Sequence, residues 1–310
     1  MSRALVECVP NFSEGRDRGR IDAIVEAMRV DGVWVLDRTM DGDHNRSVVT
    51  LAGEPEAIEE AAIRGVGRAA ELIDLNLHRG VHPRMGAADV VPFVPIEGVM
   101  LEDCAAMARR AGAEIWRRFG VPVYLYEAAA TAPERRDLAW LRRGGFEGIR
   151  AEIGSVAARR PDFGGAAVHP TAGITAVGAR KFLIAWNIYL DTADVEIAKK
   201  VARAVRASSG GLACVKALGL LVDGRAQVSM NLTDFEVTPM RRVLAAVGTE
   251  AERYGVGLAA SELIGLLPRR ALDGTSGGEL LIAGFNEGMI LEERVAAAMG
   301  GVTTIGGAAG

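Results

Sequence analysis

Hydrophobic and polar positions follow two distinct periodicities along the first half of this chain. Short runs rich in β-branched residues indicate strands, whereas longer runs with an apolar residue every three or four positions indicate helices. Residues 55–72 have the helical periodicity and begin with Pro55, which the first turn of a helix tolerates. The predicted strands are 4–9, 33–36, 46–52, 90–95 and 121–126, and the predicted helices are 18–29, 55–72 and 101–119.

The second half repeats this order of elements. Asp191 or Thr192 is predicted to cap its first helix, because both side chains accept hydrogen bonds from the free backbone amides at a helix start. Asp223-Gly224 is predicted to form the turn of a β-hairpin. The predicted strands are 181–190, 214–222, 227–235 and 256–264, and the predicted helices are 191–207 and 239–254, with a short one after Pro268.

Each half therefore approximates the order β-α-β-β-α-β, which is that of a split βαβ, or ferredoxin-like, arrangement. This order predicts an α/β (α+β) fold with two subdomains in which each sheet is layered with helices. The predicted subdomains are residues 1–180 and 181–310.

Residues 127–180 follow this pattern least. Short helices are predicted at 138–142 and 146–150, and residues 162–173 are loop-like by composition. A long loop inside a compact chain is usually functional or disordered. Its small residues would let a ligand approach the backbone closely.

Composition and charge narrow the class of protein. The 310 residues are 49% hydrophobic and 25% charged, which is typical of a globular protein. No uncharged apolar run reaches the roughly 18 residues that span a bilayer, and Glu7 interrupts the start of the chain where an export signal would be apolar. A cytoplasmic protein without membrane contact is expected. The net charge of −4 offers no general attraction for nucleic acid.

The cysteines and one histidine pair bear on metal binding. Cys8, Cys104 and Cys214 are far apart in sequence, which predicts buried reduced thiols rather than a zinc cage or a disulfide framework. His78 and His82 have the HxxxH spacing of a zinc pair, but Gly80 and Pro83 interrupt the helix that this motif needs. No metal is expected.

The block 78–87 carries the most specific candidate for chemistry. It holds two of the four histidines of the chain, and histidine can take and give a proton near neutral pH. Gly80 and Pro83 place His82 on a loop with a restrained backbone, which suits a positioned acid and base. A purely structural role, as a buried or helix-capping histidine, is the alternative, and it stays open.

Two further polar stretches allow two interpretations each. The predicted loop before Asn45 and Arg46 is either an acidic cluster that orients a histidine or binds a cation, or a solvated turn. The alternating run 227–234 is either a polar wall of a cleft or an exposed sheet face. The acidic cluster consists of Asp37, Asp41, Asp43 and His44, and the polar face of Gln227, Ser229, Asn231 and Thr233.

Long blocks of the chain resemble the glutamate formiminotransferase (glutamate formimidoyltransferase) family, folate-dependent enzymes of histidine breakdown. The resemblance covers nearly the whole chain, which makes it far more specific than a short motif. The blocks are Leu5–Gly15, Asn45–Arg46, Leu72–Pro95, Val121–Tyr126, Asp162–Gly164, Gly178–Asn187, Gln227–Phe235 and Ser261–Pro268.

The resemblance implies a homodimer of two-subdomain chains that transfers a formimino group from N-formimino-L-glutamate to N5 of tetrahydrofolate. The products are L-glutamate and 5-formiminotetrahydrofolate. Mammalian relatives carry a fused cyclodeaminase domain. This chain resembles the stand-alone form, so a separate cyclodeaminase is expected to act on the product.

The resemblance also implies site residues. The catalytic histidine of the family falls on His82, and the folate-binding segment falls on Gly164, Gly165, Ala166, Ala167, Val168, His169, Pro170, Thr171, Ala172 and Gly173. Thr39 stands where animal members have an acidic residue that supports the histidine, so Asp37 or Asp41 would substitute. The candidates for this support or for contact with substrate carboxylates are Asp37, Asn45, Arg46, Arg84, Arg180 and Asn231.

The implied reaction requires a base for the N5 proton and an acid for the leaving glutamate nitrogen, and one histidine can serve as both in sequence. Three alternatives stay open. They are transfer from N-formylglutamate, a metal-dependent amidine hydrolase built on the histidines and loop aspartates, and a folate-binding protein without catalysis.

Overall fold

The computed structural model describes residues 4–80 and 83–300, and the chain divides into two compact units between Arg180 and Lys181. His82 lies outside the described residues. In the first unit the strands are β1 (Leu5–Cys8), β2 (Asn11–Phe12), β3 (Val33–Asp41), β4 (Arg46–Gly53), β5 (Ala88–Glu97), β6 (Val123–Glu127) and β7 (Thr175–Ala179). The helices are α1 (Arg18–Ala27), α2 (Pro55–Leu72), α3 (Leu101–Phe119), α4 (Leu138–Leu141) and α5 (Gly145–Glu152), with short 3₁₀ turns at Pro133–Arg136 and Ala157–Arg159.

The seven described strands of the first unit form one mixed sheet. β3 pairs with β4, and β4 pairs with β1 and β2, which also pair with β5; all these pairs are antiparallel. Pro10 separates β1 from β2, because proline has no amide hydrogen for a sheet ladder. β7 lies between β5 and β6 and is parallel to both.

The position of β7 corrects the sequence prediction of irregular structure through residues 127–180. Its five residues, Thr175–Ala179, are all buried and mostly small. A strand that is buried on both faces shows no alternation of polar and apolar residues. The run therefore carries no local strand signal, and its pairing with two neighbours determines its structure.

α2 and α3 cover one face of this sheet, and α4 and α5 pack against β6 on the other. Val6, Cys8 and Phe12 belong to the same buried cluster as Ile58 and Val66 of α2. Successive strand residues point to opposite faces, so Glu7 belongs to the other face. Each fully buried aliphatic or aromatic side chain contributes roughly 1.5–3 kcal/mol by leaving water, so this cluster is the main source of stability of the first unit.

The second unit contains its own antiparallel sheet, in the order β11 (Leu258–Ile264), β8 (Ile184–Leu190), β10 (Arg225–Leu232) and β9 (Val215–Val222). The predicted hairpin turn is confirmed, because Asp223 and Gly224 both have positive φ and Val222 pairs with Arg225. The helices are α6 (Val195–Val205), α7 (Met240–Glu252) and α8 (Leu291–Gly300), with short 3₁₀ turns at Ala207–Ser209, Arg269–Leu272 and Glu287–Met289.

Two local predictions for the second unit are wrong. The cap of α6 is Asp194, whose side chain accepts from the amide of Glu196 at 2.9 Å, whereas Thr192 accepts from the amide of Asp194 in the preceding turn. Cys214 is only partly buried and has a left-handed backbone before β9 begins. Cys8 and Cys104 are buried free thiols, as predicted.

No helix within the described ranges is long and apolar enough to cross a membrane.

Candidate active site

Two of the sequence blocks that carry the resemblance bind each other in the first unit. The hydroxyl of Ser13 donates to the carbonyl oxygen of Gly86 at 2.7 Å, and the amide of Ser13 donates to the carbonyl oxygen of Ala87 at 2.9 Å. Ser13 is buried. The backbone just after His82 is therefore attached to the segment that follows β2.

Asp89 fixes the same backbone from its other side. Its Oδ1 accepts from the amide of Met85 at 2.7 Å, and its Oδ2 accepts from Nε of Arg142 at 2.9 Å. Asp89 is buried, so this charge needs the ion pair with Arg142. Sequence reasoning missed Asp89 as a site residue, although it lies inside the block 72–95.

Asn45 joins three loops. It adopts a left-handed backbone with φ of 50°, which asparagine tolerates better than most residues. Its Oδ1 accepts from the amide of Gly15 at 2.9 Å, and its Nδ2 donates to the carbonyl oxygen of Arg79 at 3.0 Å. Gly80 is required at this junction, because a Cβ there would lie 2.4 Å from the carbonyl oxygen of His44.

His78 is buried beside this junction. Its Nε2 lies 2.9 Å from the carbonyl oxygen of Asn45, so Nε2 carries the proton and donates it. Burial lowers the pKa of His78, although the hydrogen bond to Asn45 opposes this effect. Its Nδ1 is buried and has no hydrogen-bond partner in the described part of the chain. Burial therefore favours the neutral ring, in which Nε2 is the donor and Nδ1 an acceptor.

His78, Arg79, Gly80 and Arg84 lie beside an open cleft of about 410 Å³. His78 and Arg84 line both this cleft and a small cavity of about 10 Å³. The described residues around the cleft are Asn76, His78, Arg79, Gly80, Arg84, Phe146, Glu147 and Arg150. Those around the small cavity are Ser13, His44, Asn45, Arg46, His78, Arg84 and Asp89.

Three of the sequence-predicted residues therefore come together around the small cavity, namely Asn45, Arg46 and Arg84. Burial, with a smaller contribution from the nearby Arg142 charge, lowers the pKa of Arg46 to about 10. Arg46 thus stays cationic at neutral pH. Arg84 forms a bidentate ion pair with Glu147, with nitrogen–oxygen distances of 2.8 and 3.1 Å.

The glycine-bounded segment 164–173 lies against the same loop. The amide of Ala87 donates to the carbonyl oxygen of Ala172 at 2.8 Å, and the amide of Ile174 donates to the carbonyl oxygen of Met85 at 3.0 Å. Gly173 has φ of 72°, and a Cβ there would lie 2.2 Å from the carbonyl oxygen of Met85. The two predicted site regions are therefore joined through their backbones.

The two ends of this segment differ. His169 and Gly173 exchange backbone hydrogen bonds of 2.9 and 3.1 Å, and Nδ1 of His169 accepts from the amide of Ala172 at 3.0 Å. His169 thus stabilises its own turn. Residues 164–167 are exposed, so their backbone is accessible to a ligand.

The other predicted residues are more dispersed. Asp37 lies on β3 opposite Thr50, Arg180 ends the first unit, and Asn231 lies exposed on β10 of the second unit. The predicted polar loop is shorter than expected, since β3 continues to Asp41 through its pairing with β4.

Asp41 satisfies its own turn. Its Oδ1 accepts from the amides of Asp43 and His44 at 2.9 Å, and its Oδ2 lies 2.6 Å from Nδ1 of His44. Burial acts to raise the pKa of Asp41, but the hydrogen bonds from His44 outweigh it and lower that pKa. The described part of the chain contains no group of three or more His, Cys, Asp or Glu residues arranged for a metal ion.

Comparison with known proteins gives two family matches. The model of the formiminotransferase domain, N-terminal subdomain, matches residues 5–180, and that of the formiminotransferase domain matches residues 185–296. Glutamate formimidoyltransferase from Thermoplasma acidophilum is 46% identical over 301 residues, which cover 94% of this chain and 97% of that protein.

Two further relatives show the same similarity. Glutamate formimidoyltransferase from Streptococcus pyogenes serotype M1 is 46% identical over 271 residues, which cover 86% of this chain and 90% of that protein. The formimidoyltransferase-cyclodeaminase of Mus musculus is 41% identical over 277 residues, which cover 86% of this chain and 51% of that protein.

Proposed function

Because this chain belongs to the formiminotransferase family, we propose that the loop around residues 78–87 of its first unit is where its transfer reaction takes place. The chain is a glutamate formimidoyltransferase. It transfers the formimino group from formiminoglutamate to tetrahydrofolate, a one-carbon transfer of histidine degradation.

One observation carries the assignment of the site. The backbone of Met85–Ala87 is hydrogen-bonded to the backbone of Ala172–Ile174. This pairing attaches residues 85–87, which follow His82 closely in the sequence, to the segment proposed to bind folate. Two substrates that bind on joined segments are held close together, and proximity converts a bimolecular step into an effectively unimolecular one.

We assign the proton transfers to His82, on the strength of the family resemblance. The anchored neighbours of His82 support this role, since Asp89 holds the amide of Met85 and Asn45 holds the carbonyl of Arg79. A general acid and base must lie within hydrogen-bond reach of the proton that it moves. The described residues on both sides of His82, namely Arg79 and Met85, are anchored in this way.

Residues 164–173 fit a folate ligand at their exposed end. Gly165 has no neighbour within 4 Å of an added Cβ, so the space beside it is open, and small side chains at 164–167 allow a flat ring to approach the backbone. Tetrahydrofolate supplies the nucleophilic N5. The part of this chain is to bind and orient the ring.

The predicted polar site residues fall into two groups, those that hold the protein's own loops and those proposed to contact the substrates. The side chain of Asn45 is used to join loops, so we assign it a positioning role. Arg46 and Arg84 remain candidates for substrate carboxylates, because each is cationic and lines the cavity beneath the loop. Asp37 remains the candidate that supports His82, and Arg180 and Asn231 are proposed as further carboxylate or polar contacts.

We also propose that the two subdomains, residues 1–180 and 181–310, share a ferredoxin-like core. The strand order β11-β8-β10-β9 supports this for the second, and the order β5-β1-β4-β3 supports it for the first, which adds β6 and β7. A homodimer is proposed from the family resemblance. Light scattering should then give twice the 32.8 kDa mass of one chain.

An assay of glutamate release tests the proposed reaction and its rivals. Purified protein is incubated with formiminoglutamate, with and without tetrahydrofolate, and glutamate is followed over time. Release that depends on tetrahydrofolate supports the transfer. Release of glutamate without tetrahydrofolate supports a hydrolase. A higher kcat/KM with N-formylglutamate than with formiminoglutamate would identify N-formylglutamate as the preferred donor.

A further inference from the structure

The open cleft beside residues 78–80 and Arg84 carries an excess of positive charge. Three guanidinium groups line its described part, those of Arg79, Arg84 and Arg150, against the single carboxylate of Glu147. Glu147 forms its bidentate pair with Arg84. The guanidinium groups of Arg79 and Arg150 therefore carry the positive charge that remains after Glu147 pairs with Arg84.

Neutral oxygen atoms hold these two arginines in place. Nη1 of Arg79 donates to the carbonyl oxygens of Asn76 and His78 at 3.1 and 2.8 Å. Nη2 of Arg150 donates to Oδ1 of Asn76 at 2.7 Å and lies 3.4 Å from the carbonyl oxygen of Pro170. Such contacts orient a guanidinium group without neutralising it.

Phe146 orients Arg150 further. The guanidinium carbon of Arg150 lies 4.0 Å from the centre of the Phe146 ring, and Phe146 is buried. An arginine stacked on a ring keeps its plane fixed and its edge donors available. Those donors suit a carboxylate, which arginine binds in a bidentate manner.

Asn76 connects this cleft to the segment proposed to bind folate. Its Nδ2 donates to the carbonyl oxygen of Pro170 at 3.1 Å, while its Oδ1 accepts from Arg150. The cleft volume of about 410 Å³ lies within the roughly 300–1,000 Å³ of small-molecule sites. A ligand on that segment therefore has a cationic cleft beside it.

We propose that Arg79 and Arg150 form a binding site for glutamyl carboxylates in this cleft. The proposal rests on the proposed function. That function offers two sources of the same chemistry, namely the glutamate portion of formiminoglutamate and the glutamyl tail of the folate.

The test compares the double variant Arg79→Gln/Arg150→Gln with wild type and with Arg109→Gln. Arg109 is an exposed arginine of α3 outside the cleft, so its variant controls for the loss of a positive charge. The KM for formiminoglutamate and the KM for tetrahydrofolate with one or five glutamates are measured for each protein. Binding of 5-formyltetrahydrofolate with one or five glutamates is measured by calorimetry, without turnover.

In the double variant the KM for one of the two substrates should rise by roughly 10- to 100-fold, which is the effect of losing charged hydrogen bonds. The kcat should stay nearly unchanged. A rise in KM that is confined to formiminoglutamate shows that the site binds the carboxylates of the donor. A rise that is larger for the pentaglutamate, together with its weaker calorimetric binding, identifies the folate tail.

Two outcomes would overturn the site. The first is that the double variant has the same KM values and the same calorimetric affinities as Arg109→Gln, which would exclude carboxylate binding in this cleft. The second is a fall in kcat while the affinities stay unchanged, which would exclude it as well. If the double variant does not fold, Arg79→Gln alone serves, because Arg79 is exposed and, among the described residues, its side chain donates to the backbone oxygens of Asn76 and His78. Wild-type protein without turnover would instead refute the proposed function.

Discussion

His78 and Asn45 hold each other across two loops. The Nε2–H of His78 donates to the backbone oxygen of Asn45 at 2.9 Å, and Nδ2 of Asn45 donates to the backbone oxygen of Arg79, the next residue after His78. Each residue thus satisfies a polar group of the other loop. The pair anchors the chain immediately before the segment that contains His82.

Replacement of Asn45 by alanine should therefore impair both stability and activity. Asn45→Ala removes the partners of the Gly15 amide and the Arg79 carbonyl, and a buried polar group left unsatisfied costs about 1–3 kcal/mol. We expect the free energy of unfolding in urea to fall by about that amount and kcat to fall with it, because the loop loses an anchor.

Asn45→Gly is the matched control for backbone strain. It removes the same hydrogen bonds but adopts the left-handed conformation freely, so it should be more stable than Asn45→Ala by about 1 kcal/mol. Equal stability of the two variants would show that the positive φ at this position costs nothing. An unchanged kcat in both would remove Asn45 from its positioning role.

Asp89→Asn should lower the free energy of unfolding more than Asn45→Ala does, because it leaves Arg142 without its buried partner. Removal of one member of a buried ion pair typically costs about 3–5 kcal/mol. Urea unfolding measures this loss, and kcat should fall as the Met85 amide loses its charged acceptor. Glu71→Gln is the control, since Glu71 pairs with Arg68 on an exposed face where such pairs contribute about 0–1 kcal/mol. A loss no larger than this control would contradict the role of Asp89.

Glu7 should make stability depend on pH. Burial raises the pKa of Glu7 to about 7, although the charge of Arg180 opposes the shift. Because the folded pKa lies above the unfolded value of 4.5, ionisation destabilises the folded chain. The penalty is absent below pH 4.5 and grows as pH rises toward and past 7, to about 3 kcal/mol.

Glu7→Gln cannot ionise and should escape this penalty. The free energy of unfolding of Glu7→Gln should therefore increase relative to that of wild type as the pH rises from 5 to 8, as measured in urea at each pH. Glu97→Gln, at the exposed end of β5, should show no such trend relative to wild type. A constant difference between Glu7→Gln and wild type across this range would refute the buried-carboxyl interpretation.

His82→Asn tests the catalytic assignment. The variant should reduce kcat by roughly 10²–10⁴-fold, the usual contribution of a general acid and base. The Kd for tetrahydrofolate, measured by calorimetry, should change little, because residues 164–173 rather than His82 are proposed to bind the folate. A kcat near that of wild type would exclude His82 from proton transfer.

Local patterns predicted much of the fold. α2 and α3 begin and end at the predicted residues, since an amphipathic period and a proline at the helix start are local features. β7 was not predictable in this way, because Thr175–Ala179 has neither alternation nor bulky side chains.

The sequence by itself determined the family, the order of strands and helices through most of the chain, and the histidine block as a candidate for chemistry. Only the tertiary structure decided that Asp89 holds the amide of Met85, that His78 bonds to Asn45, and that Gly86 pairs with Gly173. The physical reason is distance along the chain. Periodicity and capping act over a few residues, whereas a buried hydrogen bond or a strand pairing depends on which distant segments the core brings together.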